Sequence, residues 1–546
     1  MISGAGAGDL IFTDAQVNGT LCIDRLVFAN NPFVVGNTGI LKLFHTITPG
    51  NKISNYGTLA VDAGDTATIL GDYTQAGNGK IQVDAVSASS YGKVRVTGTA
   101  DLSANNLINV NVTAHDTLAV NDALNAVLSA NTLVVDQNRF EVEDNSAMWK
   151  FIPTFDNDMI DLTVLRQLTC AQAVNDSSQV SNPVAAGAAG VLDDLVVSGT
   201  VTPDMQAVLD EMGALQTGEQ VAEAVAQTVP VLASASPQIG FDLAANGATQ
   251  VVQNRLGGFS GMSAGDPVFE DQFVWVKPFY ARTDQDKWNG IDGYKANAYG
   301  LAIGADGKIN PEWRMGAAVS YGTADVQSDS IITQQQLDVE TWQATLYANG
   351  DLGKYFTLNL VGALGFNQND SSRNIVFGGL GRTALAEYDS LHTLVDAELV
   401  KTYAINDNLT LGASLGLDYI YICVDDYTET GAGALNLKVQ GVNADTLVAS
   451  IGGRLEYSIT QNQRLTGQIS LGYDLLADGS SLVSTYTGGG PSFVVTGNSP
   501  DEKVYQGGLG YELTCFRGME LLARYRVESR KHFFNQTGSI NFRFPF

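Results

Sequence analysis

The sequence predicts an all-β protein: a parallel β-helix of short strands, an α-helical linker, and a 12-stranded antiparallel transmembrane β-barrel. Three observations carry that prediction. From about residue 9 to 170, short β-prone runs alternate with Gly, Asn and Asp, with little helical periodicity. From about residue 272 onward, long runs keep apolar side chains on one strand face and polar ones on the other. The final stretch, TGSINFRFPF, sets Gly538, Ile540, Phe542, Phe544 and Phe546 against Thr537, Ser539, Asn541, Arg543 and Pro545. An ordinary amphipathic edge strand shows the same split, so the upstream chain has to decide.

The runs of the first part include GDLIFTDAQV, GTLCIDRLVF, TGILKLFHTI and NTLVVDQNRFEVED. Each is too thin to bury its own apolar face, whereas stacking them as a solenoid buries all of them together. That favours a right-handed parallel β-helix over residues 1–170, with a β-sandwich as the main competitor. Residues 171–190 are Ala, Ser, Asn and Gly without apolar periodicity, which reads as linker. Helix starts follow within 171–236. Thr202 precedes Pro203, with Met205, Val208, Leu209 and Met212 at helical spacing, and Thr217 with Gln220 forms a capping-box pattern. Ser236 and Pro237 open a third helix, whose small residues Ala244, Ala245, Gly247 and Ala248 would suit a narrow channel; 237–264 is assigned to this helix and a turn. Taken alone, such helices would form a small soluble bundle.

Residues 265–546 carry the barrel. In LTLGASLGLDYIY, Leu409, Leu411, Ala413, Leu415, Leu417, Tyr419 and Tyr421 share one face, against Thr410, Ser414 and Asp418. TLVASIGGRLEY and RLTGQISLGYDL repeat the split, with tyrosines at strand ends where membrane interfaces place them. A soluble sandwich also alternates, but with a less regular placement of tyrosine. Strand starts fall near residues 272, 293, 311, 337, 354, 386, 407, 444, 462, 503, 517 and 535. Short turns alternate with longer loops near 325–336, 370–385, 426–443 and 478–502. Arg454, Glu456, Arg524, Arg526, Glu528 and Arg543 fall on the inward face, where they either form a selective channel or hydrate and salt-bridge a plugged lumen.

Composition narrows the function classes. Only 16% of residues are charged, and no run approaches the roughly 18 apolar residues of a membrane helix, so strands must make any crossing. A net charge of −28 repels phosphate backbones and argues against nucleic acid as a partner. Cys22, Cys170, Cys423 and Cys515 have neither zinc spacing nor the density of a disulfide framework. His45, His115, His392 and His532 are scattered, so no metal or cofactor is expected. One G-x-S-x-G occurs around Ser263, but a helix precedes it and a strand follows, the reverse of a nucleophile elbow. Asp156 to Asp161 lacks the glycine of a calcium loop. No catalytic residue is expected. The start, MISGAGAGDLIF, lacks a secretory signal's basic and apolar regions, so a chain bound for an outer membrane is expected to be a fragment of a longer precursor.

In this order the stretches resemble a known family, the autotransporters of type V secretion. NYGTLAV, LGDYTQAGNGKIQVDAV and YGKVRVTGTADL, within residues 55–112, resemble the end of an autotransporter passenger. GYKANAYGLAIGADGKINPEWRMGAAVSYG and DNLTLGASLGLDYIYICVDDYTETGAGALNLKV resemble the autotransporter β-domain, whose YxExGA stretch is here Tyr427, Glu429, Gly431 and Ala432. The C-terminal strand resembles the last strand of outer-membrane barrels, which implies that Phe542, Phe544 and above all Phe546 are read by the barrel-assembly machinery. The resemblance further implies an outer-membrane barrel in contact with lipid, with an N-terminal helix in the pore, within residues 237–264, that joins passenger to barrel; the barrel is monomeric and delivered by periplasmic chaperones. Such a barrel displays its own passenger at the cell surface, where the passenger's ligand is unknown and adhesion is the commonest use. A passive porin, or a membrane-anchored surface hydrolase, are the alternatives. Two departures stand out. WVKPFYAR puts Lys277 and Pro278 after Trp275, which argues against aromatic-on-glycine packing there, and the single residues Asn246 and Asn254 give no support to self-cleavage in the pore.

Overall fold

In the N-terminal part, every third strand pairs in parallel. Thr20–Ile23 lies beside Ile40–Leu43, followed by Thr58–Val61, Lys80–Ser87, Leu107–Val112 and Glu141–Asp144. A second ribbon runs from Leu10–Phe12 through Val27–Ala29 and Thr46–Pro49 to Thr66–Ile69, and a third from Ala15–Val17 to Asp72–Gln75. The long strand Lys93–Asp101 pairs with the ends of both. The computed structural model describes residues 10–12, 15–23, 27–29, 31–113, 117–180, 182–198, 201–248, 270–353, 355–477, 479–497, 500–515 and 518–546.

Stacking is what gives these short strands a core. Leu41 and Leu43, Leu59 and Val61, Ile81 and Val83, and Ile108 and Val110 point inward at successive levels, all essentially inaccessible. Parallel pairing of this kind excludes the sandwich. Gly79 sits at a corner where an added Cβ would lie 2.2 Å from the Asn55 carbonyl, so only glycine lets successive coils approach so closely. Ala123–Val134 continues the parallel ladder beside Lys93–Asp101, and Met159–Arg166 and Trp149–Asp156 join it antiparallel and cover the last coil.

Among the described residues five α-helices follow: α1 Cys170–Asp176, α2 Asn182–Ser198, α3 Pro203–Gly213, α4 Gly218–Gln227 and α5 Ser236–Ala248. Thr202 caps α3, and Thr217 with Gln220 closes a capping box on α4. The stretch 171–190, expected as irregular linker, is largely helical. Thr169 and Gln172 form a capping box on α1, and α2 buries Ala185, Ala188, Ala189 and Leu192 at helical spacing. Alanines are too weakly apolar to register as a stripe, yet they allow close packing and favour helix.

Twelve strands close the barrel. They are β1 Glu270–Gln285, β2 Tyr294–Lys308, β3 Trp313–Ser328, β4 Gln335–Leu352, β5 Phe356–Phe377, β6 Leu380–Ala404, β7 Leu409–Val424, β8 Val442–Thr460, β9 Gln463–Asp474, β10 Lys503–Thr514, β11 Glu520–Arg530 and β12 Phe533–Pro545. β12 pairs antiparallel with β1 and completes the ring. Outward positions are apolar and exposed, as with Leu411, Leu415, Ile451, Leu455, Ile469 and Leu509. Outward aromatics flank this band: Tyr299, Trp342 and Tyr525 toward one rim, Tyr403, Tyr457 and Phe544 toward the other. Along β8 the band spans Leu447 to Tyr457, which at about 3.3 Å per residue and a tilt of about 40° is roughly 25 Å, the height of a bilayer's apolar layer.

One rim carries only short turns. At the other, three of the expected loops are instead ordered. β5 and β6 stay paired without a break to Phe377 and Leu380, turning through Gly378 and Gly379, so 370–385 is hairpin. Residues 426–443 and 478–502 contribute Tyr427–Thr428, Leu437–Val439, Ser481–Tyr486 and Phe493–Thr496 to a four-stranded antiparallel sheet above this long-connection rim.

Candidate functional site: the plugged lumen

The lumen is built by parity. In each barrel strand the residues opposite the lipid face point inward, and many of them are polar: Gln343, Thr345, Asn359, Asn367, Ser390, Asp396 and Arg454 are all buried. α5 enters from the long-connection rim and packs against the inner wall formed by β2 to β7. Ile239 and Phe241 are buried, and Gly240 passes so close to the wall that an added Cβ would lie 2.5 Å from Ile422 Cδ1. Thr283 donates to the Asp242 carboxylate at 3.2 Å, pinning the helix to β1. Between α5 and the wall of β6 to β11 there remains a cavity of about 100 Å³, lined by Phe241, Asp396, Asp418, Arg526 and Glu528 among others.

Of the small residues assigned to the pore helix, Ala245 is half-buried and lines this cavity. Ala244, Gly247 and Ala248 lie on its last two turns. The expected continuation of the helix to residue 258, and the turn around Ser263, lie outside the described residues.

The sequence-assigned lumen charges are distributed over several clusters. Arg454 pairs with Glu398, which also accepts from Asn359 at 3.1 Å. Arg464 bridges Glu456 and Glu512 at 3.8 and 3.5 Å, and Arg524 reaches Glu512 at 3.6 Å. Arg526 lines the cavity beside Glu528 and Arg530. Arg543 lies at the short-turn rim, where it pairs with Asp306 at 2.9 Å and Glu520 at 3.2 Å.

That last cluster joins the two ends of the barrel. Asp306 on β2 also holds Arg314 of β3 at 2.5 Å and accepts from the Tyr347 hydroxyl at 3.1 Å, while Trp275 Nε1 donates to Tyr347 at 2.7 Å. Asp306, Glu398, Glu512 and Glu520 were absent from the sequence-derived set. Strand parity puts Asp306 and Glu398 on the inward face, but nothing local says which arginine each will meet. Trp275 also corrects an expectation. Its ring covers Gly304 and Phe279 covers Gly300, so closely that an added Cβ would lie 2.4 Å from either ring. Lys277 occupies the inward position between them and Pro278 faces outward, so neither blocks the packing.

The YxExGA residues lie above the rim. Tyr427 stacks on Tyr388 with centroids 4.3 Å apart, and Glu429 makes a two-point ion pair with Arg373 at 2.5 and 3.2 Å while accepting from the Leu437 N–H. Gly431 has φ +90, and a Cβ there would lie 2.5 Å from the Thr383 carbonyl. Ala432 is fully buried, and its carbonyl accepts from Arg382. At the other rim Phe542, Phe544 and Phe546 project outward and are exposed, and the Phe546 N–H donates to the Gln272 carbonyl at 3.1 Å.

A closed barrel with an apolar outer band between aromatic girdles, a charged interior and a helix lodged inside is an outer-membrane β-barrel with an occupied pore. Residues 274–526, just under half of the chain, match the model of the autotransporter β-domain. The chain is 23% identical over 528 residues to outer membrane protein B of Rickettsia conorii, covering 82% of this chain and 32% of that protein. Outer membrane protein A of the same organism is 27% identical over 210 residues, covering 37% and 10%. The chain thus spans about a third of the length of the first of these relatives. Among solved structures, the translocator domain of autotransporter NalP from Neisseria meningitidis superposes with a TM-score of 0.44 at 18% identity, covering 58% of this chain and 97% of that one.

Proposed function

We propose that the chain joins the end of a passenger to the translocator that exports it. The barrel sits in a Gram-negative outer membrane, and the solenoid of residues 1–170 is carried through it and displayed at the cell surface. The single observation carrying this reading is the path of the chain. The solenoid and α1 to α4 lie on the long-connection side, α5 descends into the lumen, and β1 begins at the short-turn rim, where Glu270 pairs with Lys308. α5 entering the lumen from the long-connection rim and β1 starting at the short-turn rim support a chain threaded through the pore. Long connections conventionally face the exterior, which puts the solenoid outside.

Export on this reading draws on folding of the solenoid outside rather than on catalysis, and replacing Ser263 leaves it unchanged. Assembly uses periplasmic chaperones and a machinery that reads the terminal strand around Phe546, and the barrel works as a monomer in lipid. The solenoid's own ligand is left open. Protease treatment of intact cells should remove residues 1 to about 180, up to the α1–α2 connection, and leave a heat-modifiable barrel. Protection of the solenoid would overturn the reading, and a large steady conductance with α5 in place would favour a porin.

A further inference from the structure

Strands β4, β5 and β6 run far past the aromatic girdle at the long-connection rim. From Phe366 to Phe377 alone, β5 adds roughly 36 Å of strand at about 3.3 Å per residue. The inner face of this extension changes chemistry. Inside the barrel it carries Gln343, Asn359, Asn367 and Ser390; beyond it, Leu337, Val339, Ile375, Phe377, Ala384 and Ala386, all buried. Val208, Met212, Val221 and Val225 of α3 and α4 share one apolar core with them. Without those helices the hairpin would hold an apolar wall up to water.

Polar contacts fix the register of that docking. The Gly379 N–H donates to Glu211 at 2.6 Å, and Gly378, with φ +55, lies so close that an added Cβ would be 2.6 Å from Glu211 Oε2. Arg382 grips Asp204 at two points, 2.7 and 2.9 Å, and the Ala434 N–H donates to the same carboxylate at 2.5 Å. The Val376 N–H donates to the Gln227 side chain at 2.6 Å, and Arg373 donates to the Gln227 carbonyl at 2.8 Å.

We propose that the extended β5–β6 hairpin is a receptor for the α3–α4 segment of the same chain, and that its occupation is the step that locks the exported chain outside and closes the mouth over α5. This rests on the export reading. α3 and α4 precede α5 in sequence, so they reach this rim only after crossing the lumen. Once docked, the chain cannot slide back without stripping Asp204 and Glu211 from the hairpin and exposing its apolar wall.

The test uses the full chain in intact cells and, purified, in planar bilayers. Asp204→Ala combined with Glu211→Ala removes the two carboxylates, and Gly378→Val attacks the receptor side. Heat-modifiability reads whether each barrel has folded. Among folded barrels, both variants should be cut between α2 and α3 at least about tenfold faster than wild type, as expected for losing charge-assisted hydrogen bonds, and should show conductance bursts where wild type is quiet. Cleavage and conductance equal to wild type in both would overturn the lock. Failure of wild type itself to expose its solenoid would instead overturn the export reading, so the two failures are separable.

Discussion

Gly304→Ala should loosen the barrel at its short-turn rim, although it adds a single methyl. The added Cβ would lie 2.4 Å from Trp275 Cζ2 and 2.6 Å from the Ala317 carbonyl oxygen. Neither neighbour yields easily: the carbonyl belongs to β3, and the Trp275 ring is fully buried. Relief to van der Waals distance moves the ring by about 1 Å, which breaks the 2.7 Å hydrogen bond from Trp275 to Tyr347 and disturbs the hydroxyl that Asp306 receives. Overpacking costs about 1–3 kcal/mol and the lost hydrogen bond about 1 kcal/mol. The gain from replacing glycine in a strand offsets roughly 0.5–1 kcal/mol of that, leaving a net loss of about 1–3.5 kcal/mol. The assay is the denaturant midpoint of the detergent-solubilised chain, read by the mobility difference between folded and unfolded barrel. Gly362→Ala is the control, since no atom lies within 4 Å of its added Cβ, and it should be as stable as wild type or more so by about 0.5–1 kcal/mol. If the two variants proved indistinguishable, Trp275 would not be packed on Gly304 and the aromatic-on-glycine account would be wrong.

Deleting Phe546, whose N–H is held by the Gln272 carbonyl, should lower the amount of inserted barrel in membrane fractions without altering the solenoid; unchanged insertion would remove its role as an assembly signal. The Arg382 hydrogen bond, aided by the Ala434 amide, holds the Asp204 carboxyl below its ordinary value of 3.8. A depressed carboxylate stabilises above its unfolded pKa, so α3 docking should be fully supported above about pH 4 and weaken as pH falls further, read as rising pepsin cleavage between α2 and α3 relative to Asp204→Asn. Burial pushes the Cys170 thiol up, while Cys515 is exposed at the short-turn rim. A thiol reagent applied to solubilised protein should therefore label Cys515 promptly and Cys170 only on unfolding; equal rates would mean that the α1–α2 core is open.

Much of the lumen was legible. Inward placement of Arg454, Glu456, Arg524 and Arg543 follows from strand parity alone, because a strand has a period of two and the membrane leaves one face no polar option. Their partners were not legible. Arg543 meets Asp306 across more than two hundred residues because β12 happens to close on β1 in a register that no local pattern encodes. Trp275 and Gly304 could not be matched for the same reason: the family-like aromatic was visible, but its glycine lies on the neighbouring strand.

What the sequence determined by itself, then, was everything written in local period. Alternation marked twelve strands and their lipid face, Thr202–Pro203 and Thr217–Gln220 marked helix starts, and the thin runs before residue 170 demanded stacking. The tertiary structure alone decided which strands meet and what lies above the rim. It folded 426–443 and 478–502 into one sheet, extended 370–385 as a hairpin, and made helices of an alanine-rich stretch whose apolar stripe was too faint to read. Those outcomes depend on surfaces supplied by distant segments: Glu211 is seated by Gly379, and Glu429 is seated by Arg373. Neither partner carries any local mark of the other.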